Sequence, residues 1–268
     1  MADNIVNRTR EKIVQLDNIL TEIEYTKERS AIELFKFVKQ KREELKKWKP
    51  EHSDAKTRRK MRYRELGKGL LYKFEHELAP FAYYANTFYA NKPEVRFKPC
   101  CGSEQYDGII LGNNKEIFVE ITDAIDGQKW GLQKELLIEN GSSPWAHSIH
   151  GVKGNKTKRK RLANDIITSN ELLSHTDLIR AAKKLVKEKA SDKCKKSIEQ
   201  KLPYGKDQTI LIVTFDDTGF GENDRDDFVN FKQAEIDSME HKFRKIILYG
   251  WLGKKFIPLK TYSPENRQ

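Results

Sequence analysis

The sequence predicts a mixed α/β protein, a β-sheet flanked by helices, and three observations carry that expectation. First, Tyr106-Asp107-Gly108-Ile109-Ile110-Leu111 and Ile117-Phe118-Val119-Glu120-Ile121-Thr122 are β-branched apolar runs separated by a short polar turn, which is a β-hairpin pattern. Second, residues 209–215, Thr-Ile-Leu-Ile-Val-Thr-Phe, form an unbroken apolar run of the kind found in a central strand covered on both faces. Third, segments with helical three-four spacing lie before, between and after these strands. The order is helices, hairpin, helix, strand, helix, strand, which fits helices packed on the faces of a mixed sheet.

Taken in order, Ile13, Leu16, Leu20 and Ile23 mark one helix, and Leu34, Val38, Leu45 and Trp48 mark a second that stops near Pro50. Together they predict an N-terminal helical hairpin within residues 1–55, ahead of an α/β domain over residues 56–268. The hairpin's apolar stripe suits packing on the main domain, and a stripe of this kind also serves as a homodimer seam. Residues 56–64 then hold six basic side chains in nine. The next helix places Leu66, Leu70, Phe74 and Leu78 on one face. At about 100° per residue Glu77 falls within that face, whereas Glu65 and Glu75 point away from its centre.

Beyond the β-hairpin, Asp126-Gly127 and Gly141 bracket a short helix through Leu132, Leu136 and Leu137. Six more basic residues fall within 151–161, and a Lys-rich helical region extends to about Leu202. After the central strand, an amphipathic helix through Phe228, Phe231 and Met239 leads to a strand at residues 245–249. Phe256-Ile257-Pro258-Leu259 could close the sheet.

Composition narrows the function. The chain has 268 residues, 37% of them hydrophobic and 10% aromatic, which is enough for a sizeable core. Lys and Arg number 51 against 40 Asp and Glu, and the net charge of +11 favours a polyanionic partner, nucleic acid first. No stretch reaches the roughly 18 apolar residues of a membrane span, and no apolar signal-peptide core opens the chain, so a cytoplasmic location is expected. Cys100, Cys101 and Cys194 offer neither a disulfide framework nor paired metal-ligand spacing.

The hairpin carries the chemistry. Asp107 and Glu120 interrupt apolar runs, one on each arm, and an ionised carboxylate among covered strands is costly unless it is paired or binds a metal. The competing reading makes Asp107-Gly108 a strand-entry turn and Glu120 a cross-strand partner of a lysine. His147 and His150, three apart near Trp145, sit in a Gly, Ser and Pro context that suggests a loop. Gly219-Phe220-Gly221 lacks the third glycine of a dinucleotide fingerprint.

In these residues, and in the order of elements over residues 63–259, the chain resembles the PD-(D/E)XK restriction-endonuclease-like nuclease superfamily. There a helix precedes a β-hairpin whose first arm supplies Asp and whose second supplies (Asp/Glu)-X-Lys. Asp107 matches the first position and Glu120-Ile121-Thr122 the second. The resemblance implies a Mg²⁺-dependent endonuclease acting on DNA in preference to RNA, such as a restriction or phage-defence enzyme. It also implies Asp107, Glu120 and the Ile121 carbonyl as metal ligands. Asp107, Glu120, Thr122 and a helix acid, Glu77, would be the catalytic set, with Glu75 or Glu65 as alternatives for the helix acid. Mg²⁺ commonly takes one or two carboxylates and fills its octahedron with water and phosphate oxygens, which suits this donor set.

Thr122 departs from the pattern, since a neutral hydroxyl replaces an ammonium. Three explanations are open at this level. Thr122 orients water, or a lysine from elsewhere reaches the site, with Lys129 and Lys201 as candidates, or the chain is a catalytically inactive nuclease-like module that binds nucleic acid or regulates.

Overall fold

The computed structural model describes residues 19–48, 50, 52–112, 115–155, 162–169, 174–199, 208–217, 220–252 and 255–258. The chain enters through α1 (Glu22–Thr26), β1 (Arg29–Ser30) and α2 (Ala31–Lys47). Next come α3 (Ala55–Leu66) and a continuous helical segment made of α4 (Gly69–Lys73), a π turn (Phe74–Leu78) and α5 (Ala79–Tyr89). Strands β2 (Arg96–Pro99), β3 (Gly108–Gly112) and β4 (Lys115–Asp123) follow. After α6 (Gly127–Asn140), β5 (Ile149–Val152) and β6 (Ile166–Thr168) form a separate two-stranded ribbon. The chain then runs through α7 (His175–Glu199), β7 (Thr209–Asp216), α8 (Glu222–Phe231), β8 (Lys245–Leu252) and β9 (Lys255–Pro258).

The main sheet has the order β1-β2-β3-β4-β7-β8-β9. Its β1-to-β4 side is antiparallel, β4-β7 and β7-β8 are parallel, and β9 returns antiparallel to β8. The sheet is therefore mixed, and the predicted hairpin is its β3-β4 pair. The run at residues 209–215 is its central strand, and every residue of β7 except Asp216 is buried.

Alternation along the strands sorts side chains into two layers. Val119, Ile121, Ile210, Ile212, Ile247 and Tyr249 face α2 and α5, where Leu34, Val38, Phe81 and Tyr84 join the same core. Leu211, Val213, Ile246 and Leu248 face the other way, against Val186, Ala190 and Cys194 of α7 and Phe228 of α8. A small third core beneath the ribbon contains Leu132, Leu136, Ile149 and Ile166.

The N-terminal expectation needs correction in part. Ile13 and Leu16 lie outside the described residues. Leu20 precedes the helix rather than joining it, because Thr21 and Glu24 form a capping box that starts α1 at Glu22. Ile23 is 82% exposed, so the stripe does not continue through it. The second arm follows the prediction, with Leu34, Val38 and Leu45 buried along α2. Its N-cap, Ser30, belongs to β1, which pairs with β2, so the N-terminal segment is joined to the sheet.

The helix drawn through Leu66, Leu70, Phe74 and Leu78 is also interrupted. α3 stops at Gly67, and Gly69, with φ of +57°, opens the next helix. Asp126 caps α6 by accepting from the Gln128 and Lys129 amides, and Gly141, at φ +78°, closes it in the left-handed conformation that suits glycine. Among the described residues no helix is long and apolar enough to cross a membrane.

Candidate active site

Asp107 sits immediately before β3, with its backbone fixed from both sides. Its N–H donates to the Val119 carbonyl at 2.8 Å, and its carbonyl accepts from the Cys100 amide at 3.0 Å. The side chain turns toward β4, where Oδ2 accepts a hydrogen bond from the Ile121 amide at 2.6 Å. Gly108 permits this entry, since a Cβ there would lie 2.5 Å from a ring carbon of buried Phe81. The Asp-Gly pair thus serves packing as well as the turn.

Glu120 lies one residue from Ile121, so its side chain leaves the opposite face of β4. There its Oε1 forms an ion pair with the Lys193 ammonium of α7, with the two side chains 19% and 25% exposed. Thr122 shares that face, half-buried, and is paired in register with Val213. Ile121 buries its side chain in the core on the α2 and α5 side. Because its N–H meets Asp107, its carbonyl leaves the strand on that same edge, beyond the end of β3.

The third acid comes from the π turn. Phe74 and Leu78 are buried, and Glu77 between them is directed inward. Its Oε2 is buried without a hydrogen-bond partner. Burial pushes the Glu77 carboxyl up to about 7, Asp107 and Asp123 add to the rise, and Lys73 and Lys193 oppose it. Burial likewise pushes Asp107 up to about 6, aided by the charge of Glu120 and opposed by the Ile121 amide, Lys193 and Lys73. Asp107 thus acts on Glu77 and Glu120 acts on Asp107, with the Lys193 charge opposing both rises. The other two helix acids are engaged elsewhere: Glu75 pairs with Arg42 at 2.7 Å, and Glu65 with Lys68 at 3.3 Å.

Lys129 lies on α6, where its charge acts on His147, and Lys201 is outside the described residues. The cation at Glu120 is Lys193, which sequence analysis did not select. Helical periodicity assigns Lys193 only to the flank of a buried stripe, and its partner lies 73 positions away.

A second group was also missed. His76 Nδ1 contacts Asp123 Oδ2, and the Thr214 hydroxyl donates to the other Asp123 oxygen. The Tyr72 ring stacks on the imidazole at 4.2 Å. The signal available was position alone, since His76 adjoins Glu77 and Asp123 follows Thr122. His147 and His150 do not form a pair. One lies in a 3-10 turn, and the other is on β5 with Nε2 2.8 Å from the Ser169 hydroxyl.

The basic segment at residues 56–64 is α3, and much of its charge is used internally. Arg59 caps the C-terminus of α6 through the Ile138 and Glu139 carbonyls, at 3.1 and 3.2 Å. Arg62 donates to the Trp48 carbonyl at 2.6 Å, Arg58 to the Ser53 carbonyl at 3.0 Å, and Lys56 pairs with Glu139. Lys60 and Arg64 lie exposed. Of the second basic segment, Lys153 is described, whereas residues 156–161 fall outside the described residues.

Among the described residues no three His, Cys, Asp or Glu side chains gather closely enough to hold a metal ion on their own. A hard cation asks less than that, since two carboxylates, a backbone carbonyl and waters complete an octahedron. Asp107, Glu120 and the Ile121 carbonyl are oxygen donors of the type such an ion takes, and Glu120 Oε1 is paired with Lys193. No family model matches the chain, and no curated protein or solved structure matches it either.

Proposed function

We propose that this protein is a Mg²⁺-dependent endonuclease that hydrolyses phosphodiester bonds in DNA, of the kind used in restriction or phage defence. The observation that carries the reading is the setting of two carboxylates on the paired arms of the β3-β4 hairpin, with Asp107 Oδ2 held by the Ile121 amide at 2.6 Å and Glu120 on the adjoining residue of β4. Carboxylates placed among covered strands are costly to a fold, and such groups cluster at functional sites.

Hydrolysis needs a water oxygen to attack phosphorus while the bond to the leaving sugar oxygen breaks. The attacking water gives up a proton, and the leaving oxygen gains one. Asp107, Glu120 and the Ile121 carbonyl would hold Mg²⁺, which when bound supplies charge neutralisation and a more acidic water. Glu77, with its carboxyl near 7, is matched to accepting a proton at neutral pH. The Ile121 amide fixes the Asp107 carboxylate against β4, so it is oriented before substrate arrives. Thr122, on the face of Glu120, is suited to orienting a water through its hydroxyl.

The net charge of +11 supports a polyanionic substrate, with the exposed Lys60 and Arg64 of α3 as contact residues. A second reading, a catalytically inactive module that binds nucleic acid or regulates, draws on the engagement of Glu120 by Lys193 and on Thr122 in place of a lysine. Incubation of the full chain with duplex DNA and with single-stranded RNA, in Mg²⁺ or in chelator, separates the two. The nuclease reading predicts metal-dependent DNA fragments. Salt-sensitive binding without product would favour the inactive module.

A further inference from the structure

We propose that Lys193 is the built-in counter-cation of this site: it competes with a divalent cation for Glu120 and supplies the positive charge that Thr122 cannot. The inference rests on the nuclease reading for its catalytic part, and its metal-binding part can be tested separately.

Position on α7 comes first. Val186, Ala190, Cys194 and Ser197 are buried along one stripe of the helix, and Lys193 lies beside that stripe. Its ammonium therefore reaches inward to the sheet. Other α7 lysines have different partners: Lys183 pairs with Asp227, Lys187 with Glu235, and Lys184 with Glu188 of its own helix. Lys193 pairs with a carboxylate of β4.

Its partner, Glu120, adjoins Ile121, whose amide holds Asp107 Oδ2 at 2.6 Å, so the ammonium stands at the stretch of β4 that also holds the second carboxylate. Lys73 donates to the Cys101 carbonyl at 3.0 Å and is tied to the β2-β3 connection. Lys193 ends in a compact ammonium on a flexible four-carbon stem, which can exchange one oxygen partner for another. A divalent cation and this ammonium would seek the same Glu120 oxygen, so the two must be linked in binding. A phosphodiester brought to the cluster adds a further negative charge, and Lys193 is the cation already beside it.

The test uses the full chain with Lys193→Met and Lys193→Arg, and reads Mn²⁺ affinity by calorimetry together with kcat and KM for duplex DNA. Lys193→Met is expected to bind Mn²⁺ about tenfold more tightly, because a positive charge leaves the neighbourhood of the carboxylates. Its kcat is expected to fall on the order of 100-fold, with KM for DNA changed far less. Lys193→Arg should keep wild-type Mn²⁺ affinity and recover part of kcat. Far-UV circular dichroism and melting would confirm that both variants fold.

Wild-type or weaker Mn²⁺ affinity in Lys193→Met would overturn the proposal, as would undiminished kcat. A wild-type chain that binds Mn²⁺ but cuts nothing would defeat the nuclease reading alone, since the change in affinity still decides the counter-cation. A wild-type chain that binds no Mn²⁺ would overturn both.

Discussion

Asp107 Oδ2 accepts from the Ile121 amide at 2.6 Å, so a carboxylate at the mouth of β3 satisfies a β4 donor just beyond the end of the β3-β4 ladder. Removing that oxygen leaves a shielded N–H without its partner. Asp107→Ala is therefore expected to lose about 1–3 kcal/mol of stability. Asp107→Asn keeps an acceptor oxygen and should lose much less. Urea denaturation of the two variants would measure the difference, and equal midpoints would remove the structural role given to this bond.

Glu77 gives a stability change with a definite sign. Its carboxyl is raised from 4.5 to about 7, so the folded chain holds this proton more tightly than the unfolded chain. The resulting stabilisation is fully present below the unfolded value and is lost as pH rises through the folded one. Glu77→Gln, which cannot ionise, should melt above the wild type at about pH 8, and the gap should close at about pH 4. Thermal melts of both chains across this range would check it, and a gap that widened toward acid would contradict it.

Gly108 is expected to resist enlargement. An added Cβ would meet Phe81 ring carbons at 2.5 and 2.8 Å, in a core where Phe81 is fully buried. Gly108→Ala should cost about 1–3 kcal/mol through overpacking. Phe81→Leu in the same chain should recover part of the loss, as a denaturant midpoint between those of the wild type and Gly108→Ala would show.

DNA binding should weaken with salt. Phosphate contacts release counterions, so affinity for a duplex is expected to fall tenfold or more between roughly 50 and 200 mM salt. Lys60→Ala with Arg64→Ala should flatten the slope, because both residues lie exposed on α3. Fluorescence anisotropy would measure both slopes, and a salt-independent affinity would rule out a phosphate-led interface.

The most legible parts of the sequence were those governed by period and burial. The hairpin and the central strand stand out because their apolar runs are unbroken apart from Asp107 and Glu120, which made those two residues conspicuous. Projection around a helix separated Glu77 from Glu75, and the structure buries Glu77 Oε2 while Glu75 meets Arg42. The π turn that carries Glu77 has no comparable signature, because its composition is that of an ordinary helix.

Short elements were less visible. β1 has two residues and β6 three, too few for alternation to register. Leu20 fits the helical spacing, yet the local capping box starts the helix after it. Lys193 was hidden for a different reason. Its pairing with Glu120 depends on how α7 lies across β4, and a tertiary crossing of that kind leaves no trace in spacing along the chain.

Cleavage of supercoiled plasmid DNA in Mg²⁺ by the wild type, Asp107→Asn and Glu120→Gln is the most direct measurement. The wild type should nick or linearise the plasmid, chelator should stop it, and each variant should lose on the order of 100-fold or more in rate while retaining its fold. A wild-type chain that leaves the plasmid intact, or variants that cut as fast as the wild type, would contradict a nuclease site built on Asp107 and Glu120.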